Sequence, residues 1–288
     1  MIAENSVKRM TPAIGAEVTG LNVNQLTASE LSQLRRLWLQ HKVLVIRNQK
    51  MSLNQLCDFS GYFGELMQLP YITPVDTYPN IICVQKKADE VNMGVFGGDW
   101  HSDFSFLKTP PAASILYAET IPPLGGDTLW ANMSLALKNL PSRLLEWVEN
   151  RNVIHTGAPY GIKNAPAVDT QFTGSIEIQR NNPEADREML HPAIVKHPDT
   201  GERSLFISPT YTTGIEGVEP DVGCSVLKEL FEFCARPEFF CRLRWSANAV
   251  VIWDNRNTMH YAVNDYDGFE RRMYRTTIAG QSPISGSA

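Results

Sequence analysis

The stretch GGDWHSDFSF, residues 97–106, sets His101 two positions before Asp103. In an extended strand, residues i and i+2 share a face, so an imidazole and a carboxylate would project together, with Ser102 and Phe104 on the opposite side. That is half of a metal chelate. A third donor, His260, lies in WDNRNTMHYAVNDYDGFERRMYRTTIAG, residues 253–280. Two imidazoles and one carboxylate occupy one face of an octahedral ferrous ion and leave three positions for a bidentate cosubstrate and dioxygen. Zinc prefers a closed tetrahedron or a single open site, so this donor set suits Fe(II). An HxD pair is ordinary in a chain with six histidines, and its weight depends on what accompanies it.

What accompanies it is Arg271, Arg272 and Arg275. On a strand, a separation of four puts Arg271 and Arg275 on one face and Arg272 on the other. A guanidinium grips a carboxylate through two parallel N–H bonds and stays charged, which lysine cannot copy. One of the pair is placed to hold the distal carboxylate of 2-oxoglutarate and the other to meet an acidic substrate. The competing reading is a charged surface strand, where most arginines are found.

The elements that must position these groups are visible in the periodicity. Thr27-Ala-Ser-Glu30 is a capping box opening a helix with Leu31, Leu34, Leu37 and Trp38 on one stripe, followed by the buried strand Val43–Ile46. Ser52-Leu-Asn-Gln55 opens a second helix, carrying Leu53, Leu56, Phe59 and Phe63 and ending near Gly64. From about residue 80 the texture changes to short β-branched and aromatic runs at 81–84, 113–117, 204–207 and 249–253, punctuated by Pro and Gly. Helical patterns interrupt at 134–149 and 220–235. Many strands with few helices predict a mainly β protein, a sandwich or barrel-like jelly roll with flanking helices.

Residues 155–190 are long, polar and weakly periodic, the texture of a lid or binding loop. The tail, 281–288, is small and polar and is expected to fray. The 288 residues, 43% hydrophobic, suffice for one large domain spanning 1–280. A net charge of −5 with scattered basic residues lacks the footprint of a nucleic-acid binder. There is no signal-peptide core and no membrane-length apolar run, so a cytoplasmic location is expected. The five cysteines form no CxxC and read as free thiols.

HSD at 101–103, GGDTLW at 125–130, WDNRNTMHYAVNDY at 253–266 and RRMYRTTIAG at 271–280 together resemble the taurine/2-oxoglutarate dioxygenase family, which includes aryloxyalkanoate dioxygenases. The resemblance runs from IGAEVTGL near the start to TTIAG near the end. It implies a double-stranded β-helix, with His101 and Asp103 on an early core strand and His260 on a late one as Fe(II) ligands. It further implies that Thr128 and Arg271 bind 2-oxoglutarate, with Arg275 between cosubstrate and substrate, while Arg272 faces away. The implied reaction couples conversion of 2-oxoglutarate and O2 to succinate and CO2 with hydroxylation of an aliphatic C–H of a small acid. A tailoring oxygenase acting on an amino-acid-derived or natural-product substrate is the alternative within the family, and a noncatalytic metal-binding jelly roll the alternative outside it. A homo-oligomer is compatible with either.

Two departures bear on substrate. The taurine enzyme has a histidine shortly after FGEL that helps hold the sulfonate, and Leu69 stands in that place here. The asparagine four residues before the first metal histidine is replaced by Gly97. An apolar side chain cannot replace a donor to a sulfonate, so taurine is disfavoured. Tyr71, Ile72, Phe104 and Tyr211 complete an expected apolar and aromatic substrate pocket around Leu69 and Gly97, with Arg275 as its charge. His41, His155, His191 and His197 are read as structural, as are Trp100, Trp130 and Trp253, and Asp99 as a turn residue able to orient a ligand.

Overall fold

The computed structural model describes residues 2–163 and 175–286. Its strands are β1 (Val7–Arg9), β2 (Ala16–Val18), β3 (Val43–Ile46), β4 (Ile81–Lys86), β5 (Ala113–Thr120), β6 (Thr128–Asn132), β7 (Asn152–His155) and β8 (Met189–Pro192). They continue as β9 (Ile194–Lys196), β10 (Arg203–Leu205), β11 (Thr212–Ile215), β12 (Phe240–Leu243), β13 (Val250–Asp254), β14 (Thr258–Ala262), β15 (Arg271–Ile278) and β16 (Ile284–Ser285). The helices are α1 (Ala28–His41), α2 (Leu53–Gly61), α3 (Met133–Lys138), α4 (Ser142–Val148) and α5 (Pro220–Cys234).

A seven-stranded sheet in the order β1-β2-β3-β13-β5-β15-β4 is the larger layer, and β12-β6-β14 forms a smaller one. Strand alternation decides what each face touches. Val43, Val45, Leu116, Val251 and Trp253 of the large sheet pack with Trp130, Cys241 and Leu243 of the small sheet in one core. The opposite parity, Leu44, Ile46, Ile115 and Ile252, receives Leu34 and Trp38 of α1 and Leu56 and Phe59 of α2. On the small sheet, Ala131 and Met259 meet Leu144, Leu227 and Leu230 from the later helices. The mainly β class with flanking helices is therefore what the chain adopts.

Both capping boxes form, Thr27 with Glu30 and Ser52 with Gln55. The first helix stops at Lys42, whose left-handed φ of 65° turns the chain directly into β3. Each box satisfies two otherwise orphaned helix-end groups, and losing its Ser or Thr costs about 1 kcal/mol. The helical pattern at 134–149 is two helices, α3 and α4, because Pro141 between them has no N–H with which to continue the first.

The tail reading is corrected in part. Ile284 and Ser285 pair antiparallel with β9, and the Gly286 N–H donates to Ile194 O at 2.9 Å. An open strand edge has unmet backbone donors and acceptors, and a polar tail with backbone to offer satisfies them. Of the expected lid, 155–190, the described limbs contain short 3-10 turns at Ala158–Tyr160 and Pro183–Asp186. The 164–174 part of that reading lies outside the described residues, as do 287 and 288 of the tail. Cys57, Cys83, Cys224, Cys234 and Cys241 are free. Among the described residues no helix is long and apolar enough to cross a membrane.

Candidate metal and cosubstrate site

His101, Asp103 and His260 converge, all buried, with one ligand atom from each lying within 4.8 Å of the others. His260 lies on β14 as expected. His101 and Asp103 do not lie on a strand. His101 makes only an isolated bridge to His260, through N–H to O bonds of 3.0 and 2.7 Å, after which the chain turns and Phe104 takes a left-handed φ of 45°. Shared strand parity is therefore not what brings the two side chains together. The bridge fixes His101, and the turn behind it, held by Ser102 Oγ donating to Thr258 O at 2.7 Å, carries Asp103 beneath it. Gly97 makes this possible: at φ 79°, a Cβ there would sit 3.0 Å from His101 Cε1.

The protonation pattern calls for a cation. His101 Nδ1 lies 2.7 Å from the Asp99 carbonyl oxygen, which can only accept, so Nδ1 carries the proton and Nε2 presents a lone pair. That lone pair faces Asp103 Oδ1 at 3.5 Å, and His260 Nε2 faces the same oxygen at 3.6 Å. Burial, first of all, holds His260 well below its ordinary pKa, in the neutral form that ligates. Burial alone would raise Asp103, but the Arg275 guanidinium overrides it and keeps the carboxylate ionised. Two nitrogens and one oxygen facing one another with their lone pairs fit a divalent metal. Asp99 contributes its backbone carbonyl to this arrangement, through the bond to His101 Nδ1.

The second carboxylate oxygen is held separately. Arg275 Nη2 lies 2.6 Å from Asp103 Oδ2, and Ser114 Oγ donates to the same oxygen at 2.7 Å. Asn255 Nδ2 in turn donates to Ser114 Oγ at 3.1 Å. Ser114 is a functional residue that sequence reasoning missed, since a lone serine in the run ASILY carries no motif. Arg271 and Arg275 are both buried on β15, while Arg272 points out to Glu119 and Glu270, as the spacing predicts.

Arg271, Arg275, Thr128, His101 and His260 line one inner cavity. Trp245 Nε1 donates to Thr128 Oγ1 at 2.9 Å, and the Arg271 guanidinium sits 5.7 Å above the Trp245 ring. Trp245, like Ser114, had no signal in the sequence. Burial draws the pKa of Arg271 down, opposed by Tyr266 and Asp127, and its Nε is buried without a protein partner. A buried guanidinium with an unmet donor beside a hydroxyl suits a carboxylate end.

A wider cleft of about 510 Å³ also reaches His101 and Asp103, and it shares Phe96, Gly97 and His101 with the inner cavity. Gly97 and Tyr211, two of the residues expected at the substrate, line it. Leu69, Ile72 and Phe104 lie buried in an apolar cluster behind it, with Tyr71 packed against the same cluster. Arg275 belongs to the inner cavity and to Asp103. The cleft is also more polar than the sequence suggested, with Arg180, Thr210 and Asn264 in its walls. Tyr160, also missed, stacks between Tyr71 at 5.1 Å and Phe104 at 5.6 Å, and its hydroxyl lies 3.4 Å from that of Tyr211.

Fold and site define a metal-dependent oxygenase of the 2-oxoglutarate-using class. The family model for the taurine catabolism dioxygenase TauD, TfdA family matches residues 6–277, and the chain belongs to that family. It is 31% identical over 278 residues to an alkylsulfatase of Acinetobacter baylyi, covering 96% of this chain and 85% of that one. It is 30% identical over 291 residues to an alpha-ketoglutarate-dependent sulfate ester dioxygenase of Pseudomonas putida, covering 98% and 91%. Among solved structures, a taurine dioxygenase from Burkholderia xenovorans superposes with a TM-score of 0.80 at 33% identity, covering 97% and 92%. The protein is thus an oxidoreductase dependent on Fe(II) and 2-oxoglutarate, with dioxygen as the second cosubstrate.

Proposed function

We propose that this enzyme hydroxylates an aliphatic C–H of a small organic anion with an apolar body, releasing succinate and CO2. Alkyl sulfate esters are the substrate class to which the named relatives point. The observation that carries the reading is the placement of three metal-competent side chains between an inner cavity ending in Arg271 and Thr128 and an outer cleft lined by Tyr160 and Tyr211. A noncatalytic metal module has no use for the inner cavity. The two facing sheets are read as the double-stranded β-helix.

In this reading His101, Asp103 and His260 hold the iron. Bound there, the iron supplies the redox chemistry that couples oxidation of 2-oxoglutarate by dioxygen to oxidation of the second substrate. Arg271 grips the distal carboxylate of 2-oxoglutarate and Thr128 adds one hydrogen bond. Arg275 and Ser114 fix Asp103 Oδ2, which aims Oδ1 at the metal position. The cluster of Phe104, Leu69 and Ile72 keeps water from the back of the site. If the hydroxylated carbon bears a sulfate ester oxygen, the new hydroxyl loses its proton, a C=O bond forms, and the C–O bond to sulfate breaks, giving an aldehyde and inorganic sulfate.

A substrate panel tests this: hexyl sulfate, hexanoate, a phenoxyalkanoate, an N-acyl amino acid and taurine, scored by substrate-dependent succinate release. An anion with an apolar body should stimulate release more than taurine does, and replacing His101, Asp103 or His260 with Ala should abolish it. A clear preference for taurine, or near wild-type turnover in any of the three variants, would overturn the corresponding assignment.

A further inference from the structure

We infer that Asn255 is a positioning residue for Asp103: a one-way hydrogen-bond relay, from Trp253 through Asn255 and Ser114, holds Asp103 Oδ2 and keeps Oδ1 turned to the metal position. The inference rests on reading His101, Asp103 and His260 as the iron ligands. Trp253 and Asn255 stand in the run WDNR at 253–256 and are both buried. Trp253 lies on β13, opposite Ser114 of β5 in the antiparallel register. Asn255 follows directly after β13, and its N–H donates to Ala112 O at 3.0 Å, which docks this turn beside the start of β5.

The direction of the relay follows from what each group is able to give. An indole N–H can only donate, and Trp253 Nε1 lies 2.8 Å from Asn255 Oδ1. The carboxamide oxygen is therefore fixed on that side and its NH2 on the other, where Nδ2 donates to Ser114 Oγ at 3.1 Å. Arg275 Nη2, also a donor only, reaches the same oxygen at 3.0 Å. A hydroxyl has two lone pairs and one proton. With both lone pairs filled, the proton is left to Asp103 Oδ2 at 2.7 Å. An ionised aspartate at 255 would break the relay, because it would accept that proton instead of donating. Oδ2 thus receives Ser114 and Arg275 together, and the carboxylate cannot turn without losing both. All these side chains are buried, so no bulk water competes for the bonds. The relay engages only Nη2 of Arg275. Its Nε is buried without a protein partner among the described residues, so the guanidinium keeps donors for ligands of the cavity it lines. The Trp253 ring also packs 4.9 Å from the ring of His260, so one indole steadies two of the three ligands.

Mn(II) binding to the metal-free protein, followed by the EPR signal of the free ion, tests the relay in wild type, Ser114→Ala, Asn255→Ala and the double variant. Wild type should bind, and no binding would overturn the ligand set and this inference with it. Ser114→Ala should weaken binding about tenfold, the usual scale for a group that orients a metal ligand. Asn255→Ala leaves a gap in which water can accept as well as donate, so the Ser114 proton is no longer confined to Asp103. Binding should weaken about threefold or more. In the double variant the loss should match that of Ser114→Ala within about twofold, because Asn255 acts through the hydroxyl. The zero-field splitting of bound Mn(II), which follows ligand geometry and not global stability, should shift in all three variants. Asn255→Leu, likewise without a donor, takes its place in the cycle should Asn255→Ala fail to fold. Wild-type affinity and an unchanged spectrum in Ser114→Ala or in Asn255→Ala would overturn the relay while leaving the three ligands in place. Losses that add in the double variant would do the same.

Discussion

At the scale of single residues, Asp103 is the point on which the site depends, because it serves two neighbourhoods at once. Oδ1 faces both imidazoles, and Oδ2 neutralises a buried arginine. Removing one partner of a buried ion pair leaves an uncompensated charge and costs about 3–5 kcal/mol. Asp103→Ala is therefore expected to lower the urea unfolding midpoint of the metal-free protein far more than His101→Ala does, because only the first strands Arg275. Equal effects would mean that Arg275 has another counter-charge. Arg271→Lys keeps the charge but loses the fork, so the KM for 2-oxoglutarate should rise by about tenfold, equivalent to about 1.4 kcal/mol. The Trp245 bond changes what Thr128 can teach. Valine there would leave the Trp245 N–H buried and unpaired, at about 1–3 kcal/mol of stability. Thr128→Ser keeps the acceptor and should leave the KM for 2-oxoglutarate near wild type, whereas Thr128→Val should raise it and lower the unfolding midpoint.

At the scale of elements, period-2 logic was decisive on β15 and misleading around His101. The strand at 271–278 is regular, so the inward pair Arg271 and Arg275 and the outward Arg272 were legible from spacing alone. The segment at 97–106 has strand-like composition, but its glycines and the left-handed Phe104 make it a bridge followed by a turn. That geometry comes from tertiary hydrogen bonds to Thr258 and His260, which no local pattern encodes. Helix starts were legible because capping is local chemistry. Ser114, Trp245 and Tyr160 were not, since each acquires its place in the site from a partner far away in sequence. His155, at the end of β7, and His191, on β8, were read as structural, and they pack ring to ring with centroids 5.4 Å apart. Burial, reinforced by the neighbouring His191, pushes His155 down from its ordinary 6.5 to about 3. Between those values the unfolded chain binds the proton and the fold does not, so stability falls as pH is lowered. From pH 7 to 5 this site alone should cost about 2 kcal/mol. Unfolding midpoints measured across that range should fall less steeply in His155→Gln than in wild type, and parallel slopes would show that His155 is not the group titrating.

At the scale of the whole molecule, the site is assembled from both sheets. His260 and Thr128 come from the small sheet, Arg271 and Arg275 from the large one, and His101 and Asp103 from the segment between β4 and β5. A metal on the triad and 2-oxoglutarate on Arg271 would therefore tie the layers together in the folded state and have no matching site in the unfolded chain. Anything that binds only the native state stabilises it by RT ln(1 + [L]/Kd), about 2.7 kcal/mol at a hundredfold excess over Kd. For a domain of this size that is a rise of roughly 4–5 °C in the thermal midpoint. Mn(II) with 2-oxoglutarate, under anaerobic conditions, is expected to give such a rise, and excess chelator to reverse it. The two variants separate the contributions. His260→Ala should lose the metal-dependent part of the shift, and Arg271→Lys should keep that part while losing the increment from 2-oxoglutarate. If the midpoint of wild type does not move at saturating ligand, or if Arg271→Lys shifts as far as wild type, then the inner cavity is not where 2-oxoglutarate binds. The sheets would then owe their juxtaposition to the shared apolar core of Val43, Val251, Trp130 and Trp253 alone.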